Sequence, residues 1–366
     1  MQRTYHLITC WLALQIVIGH PTSPAAEPFW QEHPTNTPAG LRGLAIASKP
    51  VADATASHGP SASPSPLVLW ASGAKGTVIR SQDTGLTWQA CGPTRYADLE
   101  FRSIHAWDPS RAVIASAGTP AIVLLTEDAG INWQEVYRDS RTEAFIDGLQ
   151  FFDPHQGILF GDPYDGHFAL ASTRDIARAW RAHTASQSPR AVAGEAAFAA
   201  SNSAMLVEPS GRVWIGTGGA QQNKARVHRS TDHGLSWQTT ELDMPSDATS
   251  GIFSLARSPS GTLVAVGGDY RPESNARGTA AVSLDQGMSF LAATTPPTHF
   301  RSAVIYSIGT HQIPAGFYAT GPTGTDYSAD GLQWQAISST GFHALASAPD
   351  GRLFAVGAEG RFGWSN

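Results

Sequence analysis

Short runs in which apolar and polar residues alternate, rich in β-branched and aromatic side chains, follow one another along most of this chain with turn residues between them. GIFSLAR (251–257), TLVAVGG (262–268), AAVSLDQ (280–286) and MSFLAAT (288–294) are four such runs, and EAAFAAS (195–201), RVWIGTG, ARVHRST and SWQTTEL form an equivalent set upstream. Period-two alternation of this kind predicts half-buried β-strands, four to a unit. Each unit reads as strand A, turn, strand B, loop, strand C, a fixed turn box, then strand D.

The box makes the units countable. SQDTGLTW (81–88), TEDAGINW (126–133), STDHGLSW (230–237), SLDQGMSF (283–290) and SADGLQW (328–334, one residue short) share one pattern, and STRDIARAW (172–180) is a worn copy without the glycine. Copies begin at 81, 126, 172, 230, 283 and 328, so the period is 45 to 58 residues. Self-similarity at that spacing predicts propeller blades. The residue types suit a hairpin corner. Asp83, Asp128, Asp232, Asp285 and Asp330 can accept backbone N–H groups just downstream, and Ser or Thr ties the corner from the other side. Gly85, Gly130, Gly234, Gly287 and Gly331 supply positive φ. Trp88, Trp133, Trp237 and Trp334 then open strand D and offer a large apolar face. A calcium loop would need several acidic or amide ligands where the box has one carboxylate.

The pattern resembles the Asp-box, or bacterial neuraminidase repeat. Extended over the whole chain it predicts an all-β, seven-bladed propeller of four-stranded antiparallel blades. The last unit, GFHALASAPDGRLFAVGAEGRFGWSN, holds only three strands, while FWQEHP (29–34) repeats the Trp-Gln opening of strand D with no box before it. This N-terminal strand is therefore expected in blade seven, where it closes the ring and removes an exposed edge. Residues 27–366 are expected to form one propeller, with DATASHGPSASPSP (53–66) a disordered low-complexity loop between strands A and B of blade one.

Composition narrows the function. Charged residues make up 15% of the 366, the net charge is −6, and 21 of the 24 basic residues are arginine, a balance that attracts neither nucleic acid nor an anionic bilayer. Residues 1–26 carry Arg3, an apolar run from Leu7 to Gly19 and small residues at Ala25 and Ala26, the layout of a cleavable export signal; an N-terminal hydrophobic strand is the alternative. The run is too short to span a bilayer, and no later segment is apolar enough, so no integral membrane segment is expected in the mature chain. A periplasmic or secreted monomer follows as the expectation. Removal of the leader leaves Cys91 as the only cysteine, which permits no intrachain disulfide.

A second resemblance rests on FRS (101–103), FIDG (145–148), GDPYDGHF (161–168), GEAAFAAS (194–201), WIGTGG (214–219), GIFSLA (251–256), VGGDY (266–270) and FRSAV (300–304). In this order they resemble bacterial proteins related to the photosystem II stability/assembly factor family. The resemblance implies a seven-bladed propeller that binds a protein partner and, in photosynthetic members, helps assemble a membrane complex. Some relatives carry the label oxidoreductase. WIGTGG gives that no support, since its lone G-x-G lies between strands and opens no helix, and no cofactor is expected.

In a propeller the boxes join strands C and D on one face, and the D-to-A and B-to-C connections emerge on the other. The starts of strand A put Arg42, Arg102, Asp147, Glu195, Arg301 and His343 on this second face, and the B-to-C loops add Asp162, Asp165, Lys224, Arg226, Asp269, Tyr270 and Arg271. These residues are expected either to pair across blades or to form a rim that binds a protein partner or a small anion. A glycosidase of sialidase type is the alternative function, with Arg42, Arg102 and Arg301 as a carboxylate clamp and Tyr270 with Glu195 as the nucleophile pair. Against it stand the missing Phe-Arg-Ile-Pro motif and seven blades where sialidases have six. The 13 histidines show no metal-ligand spacing, Asp162 and Asp165 in GDPYDG read as turn formers before calcium ligands, and no metal is expected.

Overall fold

In the structure, a computed structural model that describes residues 29–47, 66–219, 224–271 and 278–365, the alternating runs become 28 strands in seven four-stranded antiparallel sheets. Blades one to three comprise β2–β5 (Leu41–Ala47, Val68–Gly73, Val78–Ser81, Gln89–Ala90), β6–β9 (Phe101–Ala106, Ala112–Ser116, Ala121–Thr126, Gln134–Asp139) and β10–β13 (Ile146–Phe151, Gly157–Tyr164, His167–Thr173, Arg181–Ala182). Blades four to six comprise β14–β17 (Met205–Val207, Val213–Thr217, Ala225–Ser230, Gln238–Leu242), β18–β21 (Ser250–Arg257, Leu263–Asp269, Ala280–Ser283, Leu291–Ala292) and β22–β25 (Ala303–Ser307, Gly316–Gly321, Gly324–Ser328, Gln335–Ser338). The seventh joins β26–β28 (Ala344–Ser347, Leu353–Val356, Phe362–Ser365) to β1 (Trp30–His33).

The N-terminal strand thus closes the circle as expected, pairing Trp30 with Ser365 and His33 with Phe362. Trp30 is 3% exposed, lies between Phe29 and Phe342, and donates from Nε1 to Thr325 Oγ1 of blade six at 3.0 Å. Both the expected leader (1–26) and the low-complexity loop (53–66, apart from Pro66) lie outside the described residues.

The core is divided among the seams. Seven clusters of buried apolar side chains each draw on two neighbouring blades, from Trp70, Phe101 and Ile114 between blades one and two to Trp30, Tyr318 and Phe342 between six and seven. No sheet buries both faces without its neighbours, so closing the ring completes the core.

The turn boxes fold as their residue types suggest. In blade one, Gly85 N–H donates to Ser81 Oγ at 2.8 Å, Ser81 Oγ donates to Asp83 Oδ1 at 2.7 Å, and Thr87 donates to Asp83 from its backbone N and its hydroxyl at 2.9 and 2.6 Å. Blades two, four and five repeat these bonds around Asp128, Asp232 and Asp285. Two residues in a row are left-handed, as with Thr84 at φ 64° and Gly85 at 92°. The glycine also makes room for the preceding blade: a Cβ on Gly287 would lie 2.9 Å from the Trp214 indole nitrogen. The box tryptophan closes its own corner, with Trp88 Nε1 donating to Gly85 O at 3.1 Å and Trp334 Nε1 to Gly331 O at 2.8 Å.

One expected strand is displaced. EAAFAAS does not open blade four; its strand A is the short Met205–Val207, and of the expected strand only Ala196 keeps a ladder contact, with Gly218. The physical reason is that residues 198–203 leave the sheet and cross the central channel.

Candidate functional site

Strand A of each blade lines the channel, so a segment that enters it meets several blades at once. Arg102 Nη1 of blade two donates to Ala199 O at 3.1 Å, and Ser201 Oγ donates to Ser302 O next to blade six at 2.8 Å. Asn202, held at φ 63°, accepts Leu149 N–H of blade three on Oδ1 at 2.8 Å and donates to Ile104 O of blade two at 3.3 Å. Gln150 Nε2 and Leu255 N–H donate to the carbonyls of Asn202 and Ser203. Blades two, three, five and six therefore grip one plug, and the carbonyls of Ala199, Asn202 and Ser203 find donors inside the channel.

The plug divides the channel. Below it, toward the A-to-B and C-to-D turns, a cavity of about 360 Å³ is lined by Ser201, Asn202, Ser203 and apolar strand A side chains such as Leu44, Ile104 and Ile305. Above it, on the face of the D-to-A and B-to-C connections, lies a bowl of about 470 Å³. Ala197 to Ala200 floor the bowl, and Phe145, Phe198, Phe253, Tyr270 and Phe300 form much of its wall. Phe198 stacks on Phe253 at 4.1 Å, and Phe300 meets Phe253 edge-on at 4.7 Å.

Five of the residues expected at the rim line this bowl: Arg42, Arg102, Asp162, Tyr270 and His343. Arg102 pairs with Glu100 at 2.8 Å and Arg42 with the same carboxylate at 3.5 Å, so two guanidinium groups share one anion. Burial lowers the Arg42 pKa, and Arg102 beside it lowers it further. Burial holds His343 down to about 4, with Arg42 and Arg102 acting in the same direction, so its imidazole is neutral at pH 7. Burial raises Asp162, whose Oδ1 accepts Ala197 N–H at 3.1 Å. Asp147 lies deeper, 1% exposed, with neither carboxyl oxygen hydrogen-bonded; burial and the neighbouring Asp162 push its pKa well above the ordinary carboxylate range.

The remaining expected residues are placed elsewhere. Arg301 is 1% exposed and engaged by Asp326 at 2.5 Å, Phe300 O and Thr323. Glu195 is buried in blade four against Arg226, with His228 at 2.9 Å and Thr217 at 2.6 Å. Burial alone would raise the Glu195 pKa, but the His228 and Thr217 hydrogen bonds hold it at about 2. His228 is lowered by burial, so the neutral ring donates from Nε2 to Glu195 and accepts from Thr239 on Nδ1. The three-arginine clamp is accordingly not assembled, and Glu195 is not free to activate Tyr270. Asp165 sits at left-handed φ in the B-to-C turn of blade three and lines an outer groove, while Asp269 caps the backbone of Arg271. Lys224, also on a B-to-C loop, is exposed.

Sequence reasoning missed the aromatic wall and the plug, although Phe145, Phe198, Phe253 and Phe300 all stand inside the motifs quoted above. Among the described residues no helix is long and apolar enough to cross a membrane.

Comparison with solved structures finds the same architecture. The chain is similar to YCF48 bound to D1 peptide, at 15% identity and a TM-score of 0.62 over 94% of this chain and 99% of that one. It is similar to YCF48 from Cyanidioschyzon merolae, at 14% identity and 0.57 over 92% and 98%. It is also similar to streptogramin B lyase, at 11% identity and 0.60 over 92% and 97%. No family model matches the chain, and no curated protein matches its sequence. At these identities the likeness is one of fold.

Proposed function

We propose that this protein is an exported, non-catalytic propeller that binds a segment of a partner protein in the bowl above the plug, in an assembly role. The observation that carries the proposal is the composition of that bowl. A floor closed by the protein's own backbone, a wall of stacked phenylalanines and two arginines sharing one carboxylate give a concave site with apolar area and a few polar groups to fix orientation. The aromatic wall provides the burial from which affinity comes, and the arginines favour an anionic or carbonyl-rich stretch of partner. Support by analogy comes from YCF48, a propeller of the same architecture, which has been solved with a D1 peptide. The non-catalytic reading is supported by Glu195 and Arg301, which a sialidase-type site would need free and which are committed to buried pairs.

Affinity capture from an envelope extract tests it. Wild type is expected to recover a protein that Arg102→Ala recovers at least tenfold less, both variants having the same unfolding midpoint. Equal recovery by the two would remove the bowl as the binding site.

A further inference from the structure

Nine large apolar side chains are exposed among the described residues, and they are not spread evenly. Leu86, Ile131, Leu235 and Met288, exposed by 58, 81, 43 and 59%, each follow the glycine of a C-to-D turn, in blades one, two, four and five. Leu284 in the blade-five turn and Ile308 in the A-to-B turn of blade six lie on the same face, and Leu291 opens strand D beside it. Only Tyr164 and Tyr270 belong to the opposite face. The turn itself does not demand an apolar residue there, because its hydrogen bonds come from the Ser or Thr, the Asp and the residue before the Trp. Yet all five copies that keep the glycine, the shorter one of blade six included, carry Leu, Ile or Met at this position, Leu332 of blade six being half-buried. In a ring of like blades, residues at one register stand at one radius and one height. The four tips therefore define a plane across the axis, which suits a flat surface and not a groove.

A second observation says what that surface is. Strand D of blade seven starts on this face, since Trp30 lies opposite Ser365 at the end of β28. The chain preceding strand D, whose sequence includes the apolar run Leu7 to Gly19, therefore enters the propeller on this face. On the proposed reading of that run as an export leader, it is this face that the leader ties to a bilayer.

We infer that the face of the turn boxes seats on a lipid bilayer, its aliphatic tips reaching into the interfacial region, which leaves the bowl pointing away from the membrane. The headgroup chemistry follows from the boxes. Between the tips stand Asp83, Asp128, Asp232 and Asp285, each saturated by hydrogen bonds that favour its ionised form, with Asp285 held at about 2. A face that keeps these negative charges takes neutral, zwitterionic lipid and gains nothing from anionic lipid.

Co-sedimentation of the full chain with phosphatidylcholine vesicles tests the inference. Wild type and Tyr164→Ser, a change on the opposite face, are expected to pellet equally. The quadruple variant L86S/I131S/L235S/M288S is expected to partition at least tenfold more weakly, on the order of the loss from returning four aliphatic side chains to water, with an unchanged urea midpoint. Adding phosphatidylglycerol is expected to leave wild-type binding unchanged or to weaken it. Equal pelleting of wild type and the quadruple variant would overturn the inference, as would failure of wild type to pellet. A wild-type dimer in sedimentation velocity without lipid, abolished in the quadruple variant, would replace the bilayer with a second copy of the chain.

Discussion

Replacing Trp30 with alanine should unlock the propeller. The indole is buried in the seam between blades six and seven, with Phe29 and Phe342 each 5.0 Å away and Thr325 as its hydrogen-bond acceptor. Truncation of a buried Trp costs about 3–5 kcal/mol in transfer and cavity terms. The lost hydrogen bond adds little, because Thr325 Oγ1 keeps Thr320 and the Thr340 carbonyl as partners. With about 4 kcal/mol lost, and about 2–4 °C per kcal/mol for domains of about 150–250 residues, the expected fall in Tm is about 8–16 °C. A control sits on the same strand pair: Trp364 is half-buried, stacks on His33 at 3.8 Å and donates to Gln31 Oε1, and its truncation should cost about 1 kcal/mol. Urea unfolding followed by tryptophan fluorescence and circular dichroism separates the two. If Trp30→Ala costs no more than Trp364→Ala, the N-terminal strand does not close the ring and the argument from seams fails.

Three further outcomes follow from particular residues. Gly287→Ala meets both left-handed backbone and the Trp214 indole and should destabilise by about 2–4 kcal/mol, whereas Gly166→Ala, left-handed with nothing within 4 Å, should cost about 1–2 kcal/mol from backbone strain alone; denaturant titration reads the difference. Arg301→Ala strands the buried Asp326 carboxylate and should cost about 3–5 kcal/mol, while the double change Arg301→Met with Asp326→Leu should recover most of it. Asp147 has a folded pKa above its unfolded value, so its stability contribution is fully present below the unfolded pKa near 3.9 and is lost as pH rises through the folded value. Stability measured at pH 4 and pH 8 should therefore fall less with rising pH in Asp147→Asn than in wild type, and an identical fall in both would refute the unpartnered burial.

The fold was legible because its signal repeats. Four copies of one corner, each with a serine or threonine, an aspartate and a glycine in fixed register, and a fifth one residue shorter, specify closely similar hydrogen bonds, and the Trp-Gln of FWQEHP betrays a strand D without its own blade. The site was less legible because equal motifs were given unequal surroundings. FRS occurs at 101–103 and 300–302, but Arg102 lies inside β6 and reaches the bowl, while Arg301 precedes β22 and turns back to Asp326. The acid in the middle of strand GTDYS was the sign of a buried basic partner. EAAFAAS alternates like a strand, and what it hid is the Ser-Asn-Ser that follows: Asn202 tolerates left-handed φ and has the amide to bond two blades from within the channel. No local pattern announces that a segment will cross a channel, because its partners lie 50 to 100 residues away.

The most direct test of the binding account is position-resolved photo-crosslinking in the native host. A photoreactive phenylalanine at Phe253, in the wall of the bowl, should crosslink to a discrete partner segment identified by mass spectrometry, and the crosslink should vanish with Arg102→Ala. The same probe at Tyr306, below the plug, should give none. Crosslinks from Tyr306 and none from Phe253 would contradict the account.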